Sequence, residues 1–154
     1  PEERIIFHND SKDVLEVAKS MLAGELEYRR ENYDVAFNNL RQAVECYDNL
    51  NYSEPWSWMM PPRHALGALL LEQGHVEEAT VVYRADLGLD DRLVRPSQHP
   101  ANIWSLLGYA ECCERLGDEA NLESIRLELD HAKQIADNSI QVSCFCRIKH
   151  GCCD

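Results

Sequence analysis

The stretch Arg63–Leu89, RHALGALLLEQGHVEEATVVYRADLGL, decides the fold. Ala65, Leu66, Leu69 and Leu70 recur at the spacing of one helix face, and Gly74 breaks the pattern. Val76, Ala79, Val82, Tyr83 and Leu87 then mark the inner face of a second helix. A small residue at Gly67 lets the second helix come close, and Gly74 permits the tight turn between them. The stretch therefore predicts two helices folded back on each other.

Outward from that pair, the same pattern recurs with a shift of 43 residues. Gly24, Gly67 and Ala110 are related by it, as are Glu31, Gly74 and Gly117, then Ala36, Ala79 and Leu122, then Ala23, Leu66 and Tyr109. Coincidence at four registers is a poor explanation, so three helix hairpins are expected, at about 11–48, 60–88 and 100–137. The spacings of Gly67, Gly74, Ala79 and Tyr83 resemble those of a tetratricopeptide repeat (TPR), whose period is about 34 residues. The extra length falls in NLNYSEPWSWMMPP (49–62) and DDRLVRPSQHP (90–100), both rich in turn formers. In the third hairpin Arg126 replaces Leu40 and Tyr83, and Glu123 replaces Phe37 and Thr80, as a polar outer face at the end of an array requires. The fold class expected is all-α, a TPR-like right-handed solenoid of three antiparallel hairpins. One helical domain would span 1–154, closed by a cysteine-containing tail at 139–154.

The chain of 154 residues can bury a continuous core, and it contains no run of 18 apolar residues, the length a membrane span needs. Its formal charge of −12 disfavours nucleic acid and anionic membrane surfaces as partners. Seven cysteines without regular spacing argue against a disulfide framework. An intracellular, cytoplasmic location with thiols free or on metal is the corresponding expectation. The start at Pro1-Glu2-Glu3, without a methionine or a signal-peptide pattern, is expected to be the edge of a longer protein.

In a TPR hairpin the first helix lines the concave surface. The register puts Met21, Glu25, Tyr28 and Arg29 there in the first hairpin, and Pro61, His64, Leu71 and Glu72 in the second. The third contributes Trp104, Glu111, Glu114 and Arg115. Acids outnumber bases, unlike the lysine-and-asparagine clamp of chaperone-binding TPR domains. This groove would favour a basic protein or peptide, or an internal lid carrying arginines; the plainer alternative is a solvated charged face. Glu54, Trp56 and Trp58 place two of the three tryptophans beside Pro55 in a loop. They either plug the widened gap between hairpins or, with Arg63 and His64, form one wall of a pocket facing Trp104 and His99. Asp86 stands where the other hairpins carry Ala43 and Leu129, with no partner evident in sequence.

The tail holds Cys144-Phe145-Cys146 and Cys152-Cys153, a density of soft sulfur that suits zinc or copper, with Cys144 and Cys146 as ligands. Arg147, Lys149 and His150 would lower thiol pKa values nearby. Ile140, Val142 and Phe145 are expected to fold back on the helices, carrying Arg147 toward Glu72, Glu111 or Glu114 and the thiols toward His64 or His99. The alternative is a frayed terminus. Cys46, Cys112 and Cys113 lie on helices and read as core fillers.

Over His8 to Arg147 the chain resembles, more narrowly, the C-terminal region of large fungal and bacterial TPR-domain proteins of unassigned function. Glu54-Pro55-Trp56, Pro61 to Gly67, Tyr83 to Leu87, Trp104 and Ser143 to Arg147 carry the likeness. The resemblance implies a helical scaffold preceded by further repeats, and it brings no particular activity. Three functions compete: a groove that binds protein or peptide, a metal or redox module at the CxC, and an enzyme with a pocket at Trp56, Arg63 and His64. No nucleophile–base pair supports the last.

Overall fold

A computed structural model describes residues 4–136 and 139–147 of the chain. Six α-helices dominate it: α1 (Ser11–Arg29), α2 (Tyr33–Asp48), α3 (Pro62–Glu72), α4 (Val76–Leu87), α5 (Ile103–Leu116) and α6 (Glu119–Ile135). The chain folds as two compact units, divided in sequence between Leu66 and Gly67 and therefore within α3. No described helix is long and apolar enough to cross a membrane.

Three residues 43 positions apart share one backbone conformation. Glu31, Gly74 and Gly117 all take positive φ, at 65°, 82° and 68°. Each supplies the left-handed residue that ends one helix and turns the chain into the next, a conformation glycine adopts without strain and glutamate does not. At Gly117 the amide donates to the Cys113 and Glu114 carbonyls, meeting acceptors that the helix end leaves open.

In the first unit α1 packs on α2. Val14, Val17 and Met21 are buried on one helix, and Ala36, Phe37, Leu40 and Ala43 on the other. Gly24 is the point of closest approach: a Cβ there would sit 2.6 Å from Leu40 Cγ. Leu22 and Leu26, though in phase with an apolar pattern, are exposed. A two-stranded antiparallel ribbon, β1 (Ile5–Ile6) with β2 (Asn9–Asp10), precedes α1. Helix periodicity gives no sign of so short a ribbon. Its buried Asn9 side chain donates to Asn51 O and Ser57 Oγ and accepts from Asn51 N, tying the first long loop to the ribbon. Trp58 Nε1 donates to the Met21 sulfur at 3.1 Å, which fixes the same loop on α1.

In the second unit α4 packs on α5 and α5 on α6. Tyr83 of α4 is fully buried at its centre. A Cβ on Gly67 of α3 would lie 2.6 Å from Tyr83 Cζ, and one on Gly108 of α5 would lie closer still to the same atom. Two glycines thus make the slot that holds one aromatic ring. The Asn102 side chain caps α5 by accepting from Trp104 N and Ser105 N, and Asp118 caps α6 by accepting from Asn121 N. α6 buries Ile125, Leu129 and Ala132 while Glu123 and Arg126 face solvent.

Candidate functional site

The second unit gathers the tail onto α5. Ser143, Phe145 and Arg147 meet the helices, and the tail ends its described course in a 3₁₀ turn at Phe145–Arg147. Ser143 and Cys144 are its buried residues, and Phe145 remains 65% exposed. Of the apolar residues expected to fold back, Ile140 and Val142 are half-buried, and Phe145 stays largely in solvent. Tyr83 emerges from its glycine slot with its hydroxyl aimed at the tail, donating to Ser143 Oγ at 2.9 Å inside the core. Burial raises that phenol far above its ordinary pKa, so it remains a donor at all working pH values.

Beyond Ser143, Phe145 and Arg147 of the tail both meet α5. The Phe145 ring lies 4.6 Å from that of Trp104, tilted by 49°. Arg147 grips Glu111 with both terminal nitrogens, at 2.7 and 3.2 Å. Arg115 approaches the same carboxylate at 2.5 Å and also donates to the Leu71 carbonyl at 2.7 Å. Burial alone would raise the Glu111 pKa, but the hydrogen bonds and charges of Arg147 and Arg115 outweigh it and hold the carboxyl below its ordinary value. Arg147 is in turn raised, first by its bond to Glu111, with Glu72 adding a smaller attraction. A cavity of about 290 Å³ remains beside the tail, with Glu114, Lys133 and Val142 in its lining.

A second buried cluster fixes the other long loop. Asp86, fully buried in α4, accepts from Ser105 Oγ at 2.5 Å and pairs with His99 Nδ1 at 2.7 Å. The His99 amide also donates to the Asp86 carbonyl at 2.6 Å. The partners that the sequence does not reveal for Asp86 thus come from the loop and from α5. The carboxylate staples the lengthened connection to both flanking helices.

The remaining sequence-expected residues are distributed as follows. Tyr28 is buried edge-on to Tyr33 and Phe37, at 5.2 and 6.1 Å, so it belongs to the core of the first unit. Arg29 lies over the Tyr28 ring. Glu54 accepts a short hydrogen bond from the Tyr52 hydroxyl on the surface. Trp56 and Trp58 are half-buried. Arg63 is buried and held bidentate by Asp48 at 2.5 and 2.6 Å, which gives its guanidinium a structural job. His64 is buried at the start of α3. Glu72 is exposed at the end of α3.

The residues expected to ligate a metal are placed as follows. Cys144 and Cys146 are joined to each other in a disulfide, so neither sulfur is a thiolate donor. Among the described residues no group of three or more His, Cys, Asp or Glu side chains could hold a metal ion. Lys149, His150, Cys152 and Cys153 lie outside the described residues. Cys112 and Cys113 are buried, and burial pushes the Cys112 thiol up to about 11, leaving it protonated at neutral pH.

Compared with protein-family models, curated proteins and solved structures, the chain matches none.

Proposed function

We propose that this chain is a TPR-like scaffold, three helix hairpins of a right-handed solenoid, that binds a basic protein or peptide segment on the α5 face around Glu111. Support for the repeat reading comes from the left-handed turn residues at 43-residue intervals and from matched glycine contacts, Gly24 on Leu40 and Gly67 on Tyr83. The observation that carries the binding reading is the seating of the tail: an irregular peptide segment lies on α5, with an arginine held bidentate by Glu111. Fork-to-fork pairing of guanidinium and carboxylate adds geometry to charge and selects arginine over lysine. The formal charge of −12 favours the approach of cationic partners over a wider range.

An NMR titration of the uniformly ¹⁵N-labelled chain tests the reading, using millimolar arginine–glycine peptide and a glutamate–glycine control at physiological salt. Shifts that concentrate on Trp104, Glu111 and Arg115 with the basic peptide alone are expected. Equal shifts with the acidic peptide, or shifts spread over the acidic surface without a focus on α5, refute it.

A further inference from the structure

The tail shows more than an affinity for positive charge. Trp104 and Glu111 stand seven residues apart on α5, hence on one face and separated by about 10 Å along the axis. Phe145 and Arg147 are two residues apart, and the reach of the arginine side chain makes up the remaining distance. The ring rests on Trp104 and the fork on Glu111. An aromatic platform and a bidentate acceptor at that separation read a spacing as well as a composition.

We propose that α5 recognises external peptides carrying an aromatic residue two positions ahead of an arginine, and that Ser143–Arg147 is a built-in competitor for the same site. The proposal rests on the basic-peptide reading above and narrows it. Three features of the tail suit a displaceable occupant. The Phe145 ring is still 65% exposed, so its anchor is only partly desolvated. Among the described residues, the side-chain contacts that hold the tail include one hydroxyl pair, one ring pair and one ion pair, each of which an external peptide of the same chemistry can replace. Departure of Arg147 also leaves Glu111 with Arg115 beside it, so the open site is not an orphaned buried charge. A short tether gives the tail an effective concentration of order millimolar. A segment with an intrinsic dissociation constant near ~0.1 mM would then keep the site about nine-tenths closed and weaken an external peptide about tenfold.

The test is fluorescence anisotropy with a labelled Ser-Ser-Phe-Ser-Arg amide, in which serine replaces each cysteine. It is titrated with the full chain and with its Phe145→Ala and Arg147→Ala variants, and the helicity of each variant is checked by circular dichroism. Both opened variants should bind the probe about tenfold tighter than the parent chain. Adding Glu111→Gln should abolish the gain, and probes with Phe→Ala or Arg→Lys should bind at least tenfold more weakly. Equal affinity of parent and opened chains overturns the competitor role. A Phe→Ala probe that binds as well as the original, still through Glu111, overturns the spacing rule and leaves the basic-peptide reading standing. If neither folded, opened variant binds any arginine probe, both readings fall. Phe145→Ala alters an exposed ring, so it provides the comparison even if Arg147→Ala disturbs the fold.

Discussion

Replacing Gly108 by alanine puts one methyl group where the structure has no room. Its Cβ would lie 2.5 Å from both Cε atoms of Tyr83 and closer still to Cζ. Carbon atoms in contact settle near 3.5–4.0 Å, so the ring would have to withdraw by about 1.5 Å. It cannot withdraw toward α3, because Gly67 stands against the same ring atoms from that side, its own Cβ position being 2.6 Å from Cζ. The helices must part, at an overpacking cost toward the upper end of the usual range, about 3 kcal/mol. Alanine's better helix propensity returns about 1 kcal/mol. Gly108→Ala should therefore destabilise by about 2 kcal/mol, lowering the melting temperature by about 4–8 °C for a chain of this length. Urea unfolding followed at 222 nm measures the difference. The decisive arm is the same substitution in a Tyr83→Leu background. Leucine, which stands 43 residues earlier at Leu40, removes the Cε and Cζ atoms that clash. Without them Gly108→Ala should turn neutral or stabilising by up to about 1 kcal/mol. A stabilising Gly108→Ala in the parent chain, or an unchanged penalty in the Tyr83→Leu background, would refute the slot.

Three other outcomes follow from the geometry. Glu31, at φ 65°, carries a strain that Gly74 and Gly117 avoid, so Glu31→Gly should raise stability by about 0.5–1 kcal/mol while Gly74→Ala lowers it by about 1–2; opposite signs in thermal melts are the check. Asp86→Ala leaves His99 and Ser105 buried around a missing acceptor and should cost about 3–5 kcal/mol, against about 1–2 for Ser105→Ala; a urea-measured loss under about 1 kcal/mol for Asp86→Ala would show the staple to be idle. The Glu111 carboxyl is depressed in the folded state, so its contribution to holding the tail is complete above the ordinary glutamate value of 4.5 and disappears as pH falls through the lower folded value. The Trp104 indole resonance should therefore report tail release only below pH 4.5, and release near pH ~6 would point to a different titrating group.

What the sequence by itself determined is the helical frame. Helix periodicity, turn residues and the 43-residue register are local or repeated signals, and they place the six helices within a few residues of where they stand. They also mark Glu31, Gly74 and Gly117 as equivalent turns, and they offer Glu72, Glu111 and Glu114 as carboxylates for a tail arginine, among which the structure selects Glu111. Tertiary structure decided everything that depends on side chains meeting from distant positions. Asp86 gains its meaning from His99 and Ser105, one on an irregular loop whose path no period specifies. Gly108 lies off the 43-residue register that singles out Ala110, and it matters because the tip of Tyr83 reaches it from another helix. Arg63 stands in sequence beside a tryptophan-rich loop, and only the fold shows that its two terminal nitrogens donate to Asp48. In the tail, the apolar side chains of Val142 and Phe145 are the expected buried contacts, yet Ser143, which accepts from the Tyr83 hydroxyl, and Cys144 are the residues drawn inward. A buried polar group must find its partner, and that requirement is settled in three dimensions.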